Sequence, residues 1–290
     1  MNTRNTDVRV GGSSILMRSV ASAAFLFSMM LFTPHILAQP APEAPAGTGD
    51  ATDPYQIKNA ANLVWLSTNS PSVATSATVF RLENDIDLSD SKSWNANEGW
   101  MPIGWTATGT TDFFPGTFEG NGKTITGLTV NRSTIENCGF FAGIAATGVV
   151  RQLRLTDVDL SGSQAVGAIA GRNNGTVTQC DVSGIAKGAT RRVGGLVGYN
   201  NGIIDNCCSS VAVDAPNQAG GLVGFNGGDI TGGGTIDFAY STGVVTGSSN
   251  LGGLLGWNNR SGDTVLHSYW DWQSSGIASS DGGTTLSSYE

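Results

Sequence analysis

From residue 139 onward the apolar positions do not follow a helical period. They fall in short clusters opened and closed by glycine, each followed by a brief stretch in which apolar and polar residues alternate. The clusters are Gly139-Phe140-Phe141-Ala142-Gly143, Gly167-Ala168-Ile169-Ala170-Gly171, Gly195-Leu196-Val197-Gly198, Gly221-Leu222-Val223-Gly224 and Gly253-Leu254-Leu255-Gly256. Their closing glycines, Gly143, Gly171, Gly198, Gly224 and Gly256, lie 28, 27, 26 and 32 residues apart. Four of the five phrases continue into an asparagine, as in Arg172-Asn173-Asn174-Gly175 and Tyr199-Asn200-Asn201-Gly202. These read as turns, because Asn and Gly accept positive φ at little cost.

The alternating stretches align on two columns. One is β-branched throughout: Val150, Val177, Ile204, Ile236 and Val265. Three residues on, the other holds Leu153, Cys180, Cys207, Ala239 and Ser268. A β-branched residue returning once per repeat suits a ladder of strands about 4.8 Å apart. Two or three short strands and glycine-rich corners per turn predict an all-β chain built as a right-handed parallel β-helix. A propeller blade needs about 40 residues, which the short period opposes. Asn59 to Ser67 is the best helix candidate, with Asn59 as N-cap and Leu63, Trp65 and Leu66 as its apolar contacts, and it is predicted to cap the first coil.

Composition narrows the class. The chain has 290 residues, 41 of them glycine, with 39% hydrophobic and 13% charged residues, which excludes a disordered tail. The net charge of −8 argues against nucleic-acid partners. Arg18, the apolar run Val20 to Phe32 and the exit Ile36-Leu37-Ala38 read as a signal peptide, too short to span a membrane, with Met17 as an alternative start. Gln39 to Gly49, rich in Pro and Ala, reads as a mobile tether. The expected organisation is a signal peptide at 1–38, a Pro/Ala-rich linker at 39–52, an N-terminal cap with lead-in coils at 53–135, and the repeat array at 136–290. The protein is expected to be bacterial and secreted or envelope-associated, with no transmembrane segment in the mature chain.

The strings Gly194-Gly195-Leu196-Val197-Gly198-Tyr199-Asn200 and Gly220-Gly221-Leu222-Val223-Gly224-Phe225-Asn226 resemble the GLUG repeats of bacterial surface and secreted proteins. Those families include haemagglutinin-like adhesins and the non-catalytic region of immunoglobulin A peptidases. The resemblance extends upstream through Phe80 to Leu88, Trp100-Met101-Pro102-Ile103-Gly104 and Phe118 to Ile125, covering roughly residues 53–290. It departs in the first phrase, which lacks the Asn turn, and at an insertion from Asp229 to Gly234. It implies a non-catalytic, adhesin-like binding scaffold, with glycans or surface proteins as partners.

Candidate chemistry is sparse. Once residues 1–38 are removed, His267 is the one remaining imidazole, and neither HExxH, CxxC nor GxSxG occurs. No metal and no cofactor is expected. Asp205 and Asp237 occupy equivalent positions in successive repeats, and their column otherwise reads Arg151, Thr178 and Leu266. They are the carboxylates on which the alternative, a polysaccharide lyase or hydrolase, would rest. A further alternative is an accessory module of a larger secreted protease or adhesin. Tyr240, Tyr269, Trp270 and Trp272 are candidates for sugar stacking, and the last three are also dense enough to plug the final coil. Cys180 and Cys207 stand one repeat apart, either bridged by a disulfide or stacked as buried thiols.

Overall fold

The computed structural model describes residues 38–105, 112–227, 234–259 and 264–288. Apart from Ala38, the expected signal peptide lies outside the described residues, as does most of the Asp229–Gly234 insertion. The described chain is predominantly β, and its strands form three parallel sheets of eight, five and ten strands. Each repeat visits the sheets in one order. Ala170–Asn173 joins the second sheet, Thr176–Thr178 the first and Asp181–Gly194 the third, after which the cycle begins again.

Every strand pairs with its equivalent one repeat away. Val150, Val177, Ile204, Ile236 and Val265 are consecutive register partners in the first sheet. Upstream the same ladder continues through Phe118, Phe80 and Tyr55, so the structural repeat begins well before the glycine phrase that reveals it. Leu153, Cys180, Cys207, Ala239 and Ser268 are all buried, as the column alignment predicts. One continuous core runs from Ile57 to Trp270. Its early part is aromatic, with Trp100 stacked on Phe140 at 5.6 Å and Phe118 edge-on to Phe140 and Phe141. Its later part is aliphatic, each Val or Ile contributing roughly 1.5–3 kcal/mol by burial. No structural break falls at 135/136, because the strand Thr129–Cys138 runs across that boundary and pairs with Arg154–Val166.

The asparagines of the repeat phrase are not the positive-φ turn residues their composition suggests. Asn173, Asn200, Asn226 and Asn258 end consecutive strands of the second sheet, with the first three fully buried. Their amides form a ladder. Asn173 Nδ2 donates to Asn200 Oδ1 at 2.8 Å, Asn200 Nδ2 to Asn226 Oδ1 at 2.9 Å, and Asn226 Nδ2 to Asn258 Oδ1 at 3.2 Å. Each Oδ1 of the first two also accepts the backbone N–H two residues on, from Gly175 and Gly202. An amide is self-complementary, so identical side chains at strand spacing can satisfy one another.

Positive φ instead recurs at two other corners. Between the first and third sheets it falls on Gln152, Gln179, Asn206, Phe238 and His267. At the end of the long third-sheet strands it falls on Asn137, Ala165, Arg192, Gln218 and Asn250. The second corner explains the closing glycines: a Cβ at Gly198 would meet the Ala165 backbone, and one at Gly224 the Arg192 and Val193 backbone.

Helix α1, Ala60–Val73, runs longer than the predicted segment. The Asn59 side chain accepts from Asn62 N at 2.9 Å, as an N-cap does. Leu63, Val64 and Leu66 enter the core and Trp65 packs partly against it. The stretch read as a mobile tether is held by hydrogen bonds. Glu43 N donates to Ala61 O, Asn62 Nδ2 to Glu43 O, and Gln56 N to Ala46 O in an antiparallel bridge beside the first strand. Its Pro- and Ala-rich composition suggests an extended, mobile tether, but an edge strand offers free carbonyls and amides that an extended segment can meet. At the other end Trp270 is buried against Gly253 and donates Nε1 to Ile277 O at 3.0 Å. Residues 279–281 cover the last second-sheet strand, with Ser280 Oγ accepting from Leu255 N and Asp281 Oδ2 from Asn258 N. Among the described residues no helix is long and apolar enough to cross a membrane.

All four cysteines are free thiols, so Cys180 and Cys207 are stacked rather than bridged. In-register parallel neighbours project their Cβ atoms the same way, which suits a disulfide poorly. Each Sγ instead lies against backbone carbonyls: Cys180 on Thr178 O at 3.3 Å, Cys207 on Asp205 O at 3.2 Å. Burial raises the Cys207 thiol well above its ordinary pKa and pushes Cys138 up to about 12, the nearby Arg132 charge only partly opposing the latter. Alkylation of the native protein at pH 8 should therefore leave Cys138, Cys180 and Cys207 unmodified, while denaturation without reductant should release four titratable thiols. Recovery of only two would restore the bridge.

The amide ladder gives a second expectation. Asn200→Ala strands Asn226 Oδ1 and Gly202 N and removes one acceptor from Asn173, at about 1–3 kcal/mol for each buried group orphaned. A total loss of about 2–4 kcal/mol should appear in urea denaturation, with an unchanged denaturant slope.

Candidate binding face

The corner between the first and third sheets carries the residues with the most chemistry. Three outward columns meet there, each position separated from its equivalent by one strand spacing. The first reads Arg81, Glu119, Arg151, Thr178, Asp205, Asp237 and Leu266. The second is the positive-φ column from Gln152 to His267. The third reads Arg154, Asp181, Cys208, Tyr240 and Tyr269. Inward residues between these columns fill the core, so the backbone fixes which side chains can reach solvent.

The predicted carboxylates are brought together. Asp205 and Asp237 are register partners. Asp205 accepts from Thr178 Oγ1 at 3.2 Å and Asn206 Nδ2 at 2.8 Å. Asp237 accepts from Phe238 N and from His267 Nδ1–H, both at 2.9 Å. Their oxygens are thus engaged by hydroxyl, amide and imidazole groups that offset the like-charge neighbour. Among the described residues no three His, Cys, Asp or Glu side chains are grouped to hold a metal ion.

The predicted aromatics divide. Tyr240 and Tyr269 are register partners facing outward and half-buried. Burial, with Asp271 and Cys208 nearby, raises the Tyr240 pKa. Trp270 points inward and does not reach this surface. Trp272 opens helix α2, Trp272–Ser275, and is exposed. Asp271 caps that helix through Gln273 N and Ser274 N.

Several residues of the face escaped the sequence reading. Phe238 is 56% exposed and stacks on the His267 ring, centroids 4.8 Å apart and planes at 11°. Asn121, Gln152, Gln179, Arg154 and Asp181 line a depression of about 480 Å³ further along the same corner. Arg154 Nε lies 3.2 Å from Asp181 Oδ2 across it. The available signal was the position two residues after each β-branched column member, where Gln152, Gln179, Asn206, Phe238 and His267 recur. The arrangement offers amide hydrogen bonds at one end and ring faces at the other.

No family model matches the chain. A 139-residue segment is 33% identical to halomucin of Haloquadratum walsbyi, covering 48% of this chain and 2% of that protein. A segment of the same length is 36% identical to a provisionally named Gly-rich membrane protein of Evansella cellulosilytica, covering 47% of this chain and 15% of the relative. The matched chain is therefore a small part of both relatives. Among solved structures, a Bacteroides ovatus protein provisionally named an immunoglobulin A1 protease superposes with a TM-score of 0.57. The match covers 83% of this chain and 85% of that one at 17% identity, which establishes likeness of fold.

One element of the face is structural. Glu119 lies between Arg81 and Arg151 in the first column and pairs with both, Arg81 Nε at 2.6 Å. Burial works to raise its pKa, but the hydrogen bonds and charges of the two arginines outweigh that, leaving it below the ordinary value. A depressed native pKa means the stabilisation is present above the unfolded value of about 4.3 and is lost as pH falls through the native one. Glu119→Gln should therefore cost about 1–2 kcal/mol at pH 7, reduced by the partial exposure of both arginines. The gap to the parent protein should close below about pH 4, as read by denaturation at several pH values.

Proposed function

We propose that the chain is a secreted, non-catalytic right-handed parallel β-helix of the GLUG-repeat kind, an adhesin-like scaffold that presents the first-to-third-sheet corner to glycans or surface proteins. The observation that carries this reading is the exposed Phe238–His267 stack, with Gln152 and Gln179, whose side-chain amides make no hydrogen bond among the described residues, further along the same outward column. Stacked rings suit the apolar face of a sugar, and rows of amides suit its hydroxyls. Residues 1–38 direct export in this reading. The three parallel sheets close on one another, with α1 and the segment after Trp270 sealing the two ends. The much greater length of both relatives also supports the accessory-module reading, in which such repeats serve inside larger surface proteins.

A glycan array probed with residues 39–290 tests the proposal. Binding should be lost, without loss of the thermal transition, when Phe238 and His267 are both replaced by alanine. Incubation with uronate polymers should release no reducing ends or unsaturated products. Product formation abolished by Asp205→Ala would replace this reading with the polysaccharide lyase or hydrolase alternative.

A further inference from the structure

A second surface lies where the third sheet turns into the second, apart from the face just described and independent of its reading. Arg172, Tyr199, Phe225 and Trp257 are successive register partners along the second sheet. Arg192 reaches them from its positive-φ corner. Its guanidinium carbon lies 4.7 Å from the Tyr199 ring centre and 4.9 Å from that of Phe225. The Arg172 guanidinium lies 4.6 Å over Tyr199. Tyr199 and Phe225 meet edge to face at 4.9 Å.

The charges here are not balanced. Arg191 gives Nε to Gln164 Oε1 at 3.0 Å, and Arg172 gives Nε to Asn174 Oδ1 at 3.2 Å. Arg192 makes no hydrogen bond and no ion pair among the described residues, and its Nε is closed off from solvent. Glu136, the nearby carboxylate, already accepts from Gln164. Burial and then the Arg191 and Arg172 charges lower the Arg192 pKa, with Tyr199 and Glu136 opposing. The two rings, set edge to face at 89°, hold the Arg192 guanidinium carbon within 5 Å of both centres, and with the inner nitrogen enclosed the terminal N–H groups remain for a bidentate acceptor.

We propose that Arg192 and Arg172 form an anion-binding site for the carboxylate or sulfate groups of an acidic polysaccharide. Two features favour a polysaccharide over a small anion. The two arginines flank the same ring along the ladder, so a polymer bearing an acid group on successive units engages both. The ladder ends on the exposed indole of Trp257, a surface for the apolar face of a neighbouring sugar. A chain of net charge −8 repels polyanions in general, so any such binding must be local.

The test is calorimetric titration of the exported chain with polygalacturonate, chondroitin sulfate and, as a neutral control, dextran. At least one acidic polymer should bind and dextran should not, with affinity falling as salt rises. Arg192→Gln should weaken binding by about tenfold or more, and Arg192→Lys, which keeps the charge and loses the fork, by less. Arg172→Gln is the second variant, should Arg192→Gln fail to give a cooperative melt. Comparing the two polymers separates carboxylate from sulfate recognition. Equal affinity of wild type and both glutamine variants, or no binding to either polymer, would overturn the site. Preference for polyglutamate over both polysaccharides would overturn the polysaccharide assignment.

Discussion

Each residue of the paired strands lies about one strand spacing from its equivalent in the next repeat, and that constraint governs what those positions can be. A side chain must be compatible with a near copy of itself at about 4.8 Å, above and below. Valine and isoleucine meet the condition by packing, and asparagine meets it by pairing donor with acceptor. Like charges do not meet it. The charged column accordingly alternates as Arg81, Glu119 and Arg151, and where two aspartates do adjoin, Thr178, Asn206 and His267 supply the compensating hydrogen bonds.

The same constraint makes glycine a spacing residue more than a turning one. Gly198 and Gly224 face the backbone of a third-sheet corner that a methyl group would strike, and neither has positive φ. The corners that do need positive φ are occupied by Gln, Asn, Arg, Ala, Phe and His. Backbone strain of that kind costs on the order of 1 kcal/mol per residue and persists because neighbouring repeats hold the strands on both sides. The outward side chains at these corners are thereby fixed in direction, which turns a column of unlike residues into a surface.

Legibility followed from this division. The inward columns could be read because packing against an equivalent restricts the residue type, and Val177 and Ile204 stand where the period put them. Asn59 could be read as a cap because capping is a local interaction. Asn200 resembles a turn residue in sequence because its partners are other repeats' amides, and an Asn-Asn-Gly string carries the same letters whether it turns or ladders. The corner face was half legible: Asp205 and Asp237 share a visible column, whereas the position of Phe238 and His267 tolerates dissimilar residues and so leaves no repeated letter. Arg192 was wholly obscure. Its ring neighbours lie on another sheet, seven and 33 positions along the chain, and no spacing rule connects them.

Arg192 is also a place where the structure departs from what stability alone favours. A partly buried guanidinium whose inner nitrogen has no acceptor carries a desolvation cost that contact with two rings only partly offsets, cation–π attraction being on the order of 1–2 kcal/mol. Apolar residues of similar volume often replace buried charges without loss of stability. Ala165 and Gln218, which occupy the equivalent positive-φ position in the neighbouring repeats, show that this corner accepts uncharged side chains. A charge retained where the fold does not require it, and where Arg172 and Arg191 add to the repulsion, is better explained by an acceptor that arrives from outside. On that argument the imbalance favours the proposed anion site, with the aromatic ladder restraining the cation beside it.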